Sequence, residues 1–154
     1  PPPPTPTSFL VGSVDVYKTQ KENEFGLEIT ETAELEDTKK AGESLERLKK
    51  RGIKIALDDF GAGYASLKYI RDLPIDVVKL DRHFTSNISD PSTSRLIKFV
   101  SDVCAELNLE MIGEGIETEK EKNMMIELGC VTGQGFLMHI PSFIEDIKKE
   151  NNDG

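Results

Sequence analysis

One apolar strand that ends on two aspartates decides the fold of this 154-residue chain. Residues 53–59 read Ile-Lys-Ile-Ala-Leu-Asp-Asp, with Gly52 before them and a glycine-containing loop after them. A short apolar run between a helix stop and a loop is typical of a buried strand. In sheets of parallel strands, the ligand site forms at the carboxyl ends of the strands. Asp58 and Asp59 are therefore the first candidate site residues.

Strands and helices alternate on both sides of this segment. Further strands are predicted at 25–30, 76–80, 109–112 and 131–136, with a weaker one at 9–18. Helices are predicted at 35–51, 65–73, 92–107, 118–128 and 143–149. Such alternation favours parallel strands with covering helices. We therefore predict an α/β fold, a partial TIM-like (β/α) barrel, because a complete barrel takes about 250 residues.

The length suits a single domain, since domains commonly span about 100–200 residues. Residues 1–8 are rich in proline and are expected to form a disordered leader. We expect one truncated domain at 9–150 and a short tail at 151–154. Cys104 and Cys130 lie far apart in apolar contexts, which favours buried free thiols over a disulfide.

Composition and charge exclude several classes of protein. A formal net charge of −9 repels duplex nucleic acid. No apolar run approaches the roughly 20 residues of a transmembrane helix, so we expect no transmembrane segment in this chain. The proline-rich start lacks the basic region of a secretory signal, and we expect a cytoplasmic location.

Acidic residues stand where each of four predicted strands ends. They fall within 28–31, 58–59, 79–81 and 114–117, and the third group also contains Lys79. Carboxylates gathered at one edge of a sheet repel one another unless cations bind, and oxygen ligands suit Mg²⁺ or Mn²⁺. An aspartate after a strand is also a common N-cap of the next helix. The residues alone leave open both a metal site and a set of helix caps on an acidic surface.

Five motifs occur in order along the chain. They are Leu-Glu-Ile-Thr-Glu at 27–31, Leu-Asp-Asp-Phe-Gly-Ala-Gly-Tyr at 57–64, Val-Lys-Leu-Asp at 78–81, Gly-Glu-Gly-Ile-Glu-Thr at 113–118 and Gln-Gly-Phe at 134–136. With these motifs the chain resembles the bacterial EAL-domain cyclic di-GMP phosphodiesterases. The resemblance covers about residues 25–142, roughly the second half of such a domain. It implies metal-dependent hydrolysis of cyclic di-GMP to linear pGpG.

The resemblance also implies roles for individual residues. Four carboxylates resemble the family's ligands for Mg²⁺ or Mn²⁺, with two ions in a complete site: Glu28, Asp58, Asp59 and Glu114. Four residues resemble its catalytic group: Lys79, Glu114, Glu117 and Gln134. In that group Lys79 would orient and activate the attacking water or balance the local negative charge. Gln134 would orient that water, and Glu117 would orient both Lys79 and the water. Glu31 would stabilise the loop at 60–67 that follows Asp59.

The sequence departs from the family at its amino-terminal side. No Glu-Ala-Leu segment, which in the family supplies a metal-binding glutamate, occurs in the sequence, and neither does the strand with an asparagine ligand. Val14-Asp15-Val16 is a weak substitute for the missing strand. The resemblance therefore leaves open a catalytically inactive EAL-like module that binds cyclic di-GMP or a protein partner. A homodimer, or another chain or segment, would complete the barrel.

Overall fold

A computed structural model describes residues 14–18, 25–30, 37–62, 66–135 and 142–143. Within them, seven strands form one sheet whose order follows the chain: β1 (Val14–Lys18), β2 (Phe25–Thr30), β3 (Lys54–Phe60), β4 (Val77–Leu80), β5 (Glu110–Ile116), β6 (Thr132–Gly135) and β7 (Ser142–Phe143). The described helices lie between these strands: α1 (Thr38–Lys49), α2 (Ser66–Asp72), α3 (Arg82–Ser86), α4 (Pro91–Glu106) and α5 (Glu119–Glu127). The predicted leader at 1–8 and tail at 151–154 lie outside the described residues.

Strands β2 to β6 pair in parallel, with at least one helix in each connection. The predicted α/β architecture, a partial TIM-like barrel with parallel strands and covering helices, is therefore confirmed. The sheet is not purely parallel, because its two edge strands, β1 and β7, pair antiparallel with their neighbours.

The two faces of the sheet bury different side chains. One face packs on the helices, with Ile29 and Leu57 fully buried in the same apolar cluster as Leu45 of α1. The opposite face carries a small cluster of Ala56, Val77 and Ile112. Because side chains alternate along a strand, the residues two positions further on share that inner face. Those residues are Asp58, Lys79 and Glu114, so the apolar cluster lies directly beneath the predicted site.

Side-chain caps mark the starts of helices α3 and α5. Thr118 and Glu121 form a capping box at the start of α5, which lies within the helix predicted at 118–128. Asp81 accepts a hydrogen bond from His83 N at 2.8 Å and caps α3. The helix-cap interpretation is therefore correct for Asp81, the acid at the end of β4.

Some predicted elements differ from the structure. The short helix α3 was not predicted, since five residues are too few to show a helical period. In α4, Ile97 and Cys104 are buried, but Leu96 is 54% exposed, so the buried face is narrower than its apolar pattern indicates. The predicted closing helix is wrong at Phe143, which lies in β7, and residues 144–149 lie outside the described part.

Candidate metal and phosphodiester site

The ends of four neighbouring strands meet around the side chain of Lys79. Its Nζ lies 2.8 Å from Asp58 Oδ1, 2.8 Å from Glu114 Oε1 and 3.0 Å from Glu28 Oε1. The lysine comes from β4, and the three carboxylates come from β3, β5 and β2. Lys79 is only 6% exposed, so its charge is balanced by these carboxylates rather than by water. Three predicted metal ligands and the predicted catalytic lysine therefore form one cluster.

The protonation of Lys79 follows from this environment. Burial disfavours the ammonium, but the close contacts and negative charges of Asp58 and Glu114 outweigh burial and raise the pKa of Lys79 above its ordinary value. Burial also raises the pKa of Glu114, while the contact with Lys79 acts in the opposite direction. Lys79 is therefore a fixed positive charge near neutral pH, suited to donating hydrogen bonds and unsuited to accepting a proton.

An irregularity in β3 places two consecutive aspartates at one site. Strict alternation would send Asp58 and Asp59 to opposite faces of the sheet. The register between β3 and β4 shifts between Leu57 and Phe60, and Asp59 has a φ of 54°. A register shift of this kind changes the direction in which side chains point at the end of a strand. As a result, one carboxylate oxygen from each of Asp58, Asp59 and Glu114 lies within 4.8 Å of the others.

This group of oxygens fits a divalent cation. All three donors are carboxylates, the ligand type that hard cations such as Mg²⁺ and Mn²⁺ prefer. Asp58 Oδ1 is buried, and Lys79 Nζ contacts it at 2.8 Å. Each oxygen of an ionised carboxylate has two lone pairs, so this contact leaves one of them available for a metal ion. Asp58, Asp59 and Glu114 thus have the chemistry that a metal site requires.

The remaining predicted site residues lie in different places. Glu117 Oε1 contacts Arg82 Nη2 at 2.7 Å, and none of its described contacts is with Lys79. Gln134 is the register partner of Glu114 in the sheet, which puts its backbone beside the site. Glu31 lies outside the described residues, so its effect on the loop at 60–67 stays a prediction.

Two further features lie near the site, and only the first of them, the Val14-Asp15-Val16 segment, was named from the sequence. In β1, Asp15 is the register partner of Glu28, while Val14 and Val16 pair with Ile29 and Leu27. The alternation of the Val14-Asp15-Val16 segment was the signal for this placement. The second feature is Thr85 in α3, whose hydroxyl contacts the backbone of β5 and for which the sequence offers no pattern.

Comparison with known proteins gives one consistent family. The sequence model of the EAL domain matches residues 10–141. The cyclic di-GMP phosphodiesterase PA2567 of Pseudomonas aeruginosa is 34% identical over 145 residues, which are 92% of this chain and 25% of that protein. This chain therefore spans a quarter of the length of that curated relative.

Solved structures show the same similarity. The EAL domain of Mycobacterium smegmatis DcpA superposes with a TM-score of 0.70 at 32% identity, over 84% of this chain and 58% of that one. Klebsiella pneumoniae BlrP1, in a complex with manganese and cyclic di-GMP, superposes with a TM-score of 0.67 at 30% identity, over 76% and 30% of the two chains. Both likenesses extend over most of this chain and a part of the other protein.

Proposed function

This chain belongs to the EAL domain family, and we propose that it is part of a metal-dependent phosphodiesterase that hydrolyses cyclic di-GMP to linear pGpG. The observation that carries the proposal is the convergence of Glu28, Asp58 and Glu114 on Lys79 at the ends of four neighbouring strands. A relative solved with manganese and cyclic di-GMP supports both the metal and the substrate. We also propose a cytoplasmic location, and a barrel completed by a second copy, another chain or a further segment.

Carboxylates of this chain would hold the metal. We assign Glu28, Asp58, Asp59 and Glu114 as ligands of Mg²⁺ or Mn²⁺, with two ions in a complete site. When bound, such ions lower the pKa of a coordinated water and stabilise charge on the phosphoryl oxygens. Asp58 and Glu114 contact Lys79 as well, so the same carboxylates would hold the lysine beside the reacting phosphate.

Lys79 supplies the positive charge of the protein itself. Its raised pKa keeps the ammonium protonated, and one of its three N–H groups, which now face the carboxylates, would turn to a phosphoryl oxygen or to the attacking water. Gln134, beside Glu114 in the sheet, would orient that water. Glu117 contacts Arg82 and not Lys79 among its described partners, so its role in orienting Lys79 and the water stays a prediction. Glu31 would hold the loop that follows Asp59.

The reaction is a displacement at phosphorus. The oxygen of water forms a bond to one phosphorus atom of the cyclic dinucleotide as the bond from that phosphorus to the ribose 3′ oxygen breaks. The 3′ oxygen takes up a proton, and the ring opens to pGpG. Holding the water, the phosphate and the ammonium next to one another lowers the entropic part of the activation barrier of hydrolysis. The reacting groups then no longer have to meet in solution.

A noncatalytic module that binds cyclic di-GMP or a protein partner is the second candidate. The sequence contains no Glu-Ala-Leu segment, so the family's metal-binding glutamate from that motif is absent from this chain. In addition, β1 pairs antiparallel with β2, whereas the strands of a regular (β/α)₈ barrel all run parallel. Both observations favour binding without turnover by this chain alone.

A hydrolysis assay separates the two functions. The purified chain is incubated with cyclic di-GMP and either Mn²⁺ or Mg²⁺, and pGpG is quantified by chromatography. If the chain carries the phosphodiesterase function, metal-dependent pGpG forms, and Asp58→Asn, Asp59→Asn and Lys79→Ala each abolish it, while Asp102→Asn on the exposed side of α4 has no effect. Binding of the dinucleotide without pGpG formation would favour the noncatalytic module. Absence of both binding and hydrolysis would contradict the proposal.

A further inference from the structure

The hydroxyl of Thr85 lies against the end of β5, where Glu114 enters the site. Thr85 is fully buried in α3. Its Oγ1 lies 2.6 Å from the carbonyl oxygen of Glu114, 2.9 Å from that of Arg82 and 3.5 Å from that of Gly115. A hydroxyl has one hydrogen and donates it to one main acceptor at a time. The shortest of the three distances assigns this donor to Glu114.

The end of β5 requires support from outside the sheet. The register between β5 and β6 shifts between Glu114 and Ile116, and Gly115 has a φ of 63°. A shift of this kind interrupts the ladder of hydrogen bonds that otherwise fixes a strand. The backbone at Glu114 is therefore less constrained by its neighbouring strand than the backbone earlier in β5. A donor from another element then has a larger effect on its position.

Helix α3 packs directly on this irregular segment. A Cβ atom at Gly115 would lie 2.6 Å from Arg82 Cγ, so the glycine permits an approach that other residues would prevent. The guanidinium of Arg82 contacts Glu117 further along the chain. That pair is exposed and contributes little, whereas the Thr85 hydrogen bond is buried. Thr85 is thus the main polar connection between α3 and the Glu114 backbone among these contacts.

We propose that Thr85 is a positioning residue of the metal site, whose hydroxyl fixes the Glu114 backbone and thereby the Glu114 carboxylate. The carboxylate lies 2.8 Å from Lys79 Nζ and within 4.8 Å of oxygens of Asp58 and Asp59. Metal ligands tolerate displacements of only about 0.5 Å before geometry is lost. The role in metal binding rests on the proposed function, but the effect on the Glu114–Lys79 contact does not require a metal.

Two variants separate the hydroxyl from the shape of the side chain. Thr85→Val keeps the branched shape and removes the donor, whereas Thr85→Ser keeps the donor and removes a methyl group. Mn²⁺ affinity of each purified chain is measured by calorimetry without substrate. We expect Thr85→Val to weaken Mn²⁺ binding roughly 10-fold to 100-fold, the range seen when the hydrogen-bond partner of a metal ligand is lost. Thr85→Ser should stay within about threefold of the unmodified chain on the same basis.

A metal-free measurement keeps the inference distinct from the proposed function. The ¹³C resonance of the Glu114 carboxyl carbon reports its contact with Lys79, and we expect it to shift in Thr85→Val but not in Thr85→Ser. If the unmodified chain binds no Mn²⁺ while this shift occurs, the metal function is contradicted and the positioning of Glu114 stands. If the unmodified chain binds Mn²⁺ and the two variants match each other in affinity and in the shift, the positioning role is overturned. A loss of stability in Thr85→Val without either change would also overturn it.

Discussion

Replacing Lys79 with methionine removes an ammonium that three carboxylates share. Methionine has a similar length and no charge, so the substitution leaves Glu28, Asp58 and Glu114 without their counterion. Removing one partner of a buried ion pair costs about 3–5 kcal/mol. These carboxylates are 18–22% exposed, so water offsets part of the loss. We therefore expect Lys79→Met to lower the free energy of unfolding by about 2–4 kcal/mol.

The measurement is urea denaturation at pH 7 with EDTA present. The pKa of Lys79 is raised from its ordinary value of 10.5, so its stabilising effect is present at every pH below that value and is lost only as the pH rises through the higher folded-state pKa. Lys98→Met is the matched control, because Lys98 contacts Asp102 on the exposed surface of α4. That control should cost at most about 0.5 kcal/mol.

Two outcomes would refute this reasoning. A loss in Lys79→Met equal to that of the Lys98→Met control would show that the carboxylates do not depend on the lysine. The second test adds Mn²⁺, which should stabilise Lys79→Met more than the unmodified chain, because a bound cation replaces the missing charge and binding to the folded state adds stability. Equal stabilisation of both chains by Mn²⁺ would contradict the shared use of Asp58 and Glu114.

Three further predictions test the surrounding structure. Gly61→Ala should lower the free energy of unfolding by about 1–3 kcal/mol. Gly61 has a φ of 99°, and an added Cβ would overlap the Phe84 ring. An unchanged melting temperature would contradict this close packing. Thr118→Ala should cost about 1 kcal/mol in urea denaturation through loss of the capping box, and Thr118→Ser should restore most of it. Burial raises the pKa of Cys104 to about 11 and that of Cys130 to about 12. At pH 8 both thiols should therefore react with a disulfide reagent only after the chain unfolds. Rapid reaction of the folded chain would contradict their burial.

The positions of the central strands were predictable because their signals are local. The predicted strand at 25–30 coincides with β2, since Leu27 and Ile29 alternate with polar residues and pack on the helices. The predicted strand ends place Asp58 and Glu114 close to each other, because parallel strands bring their carboxyl ends to one edge of the sheet. The strand bounds and the topology rule therefore sufficed to predict most of the acidic cluster.

The rest depended on contacts between distant segments. The strand predicted to end on Asp58 and Asp59 continues through them to Phe60, and Asp59 lies where the register with β4 shifts. Glu117 contacts Arg82, which lies 35 residues away in sequence. The exposure of Leu96 likewise depends on which element covers α4, and no local pattern contains that information.

A Mn²⁺ titration followed by electron paramagnetic resonance tests the metal site most directly. The purified chain should bind Mn²⁺ saturably, and Asp59→Asn should weaken that binding at least about tenfold, as expected when a direct ligand of a carboxylate site is replaced. Asp102→Asn, an identical change on the exposed surface of α4, should leave the affinity unchanged. Binding that is not saturable, or that responds equally to the two substitutions, would contradict a metal site at the ends of these strands.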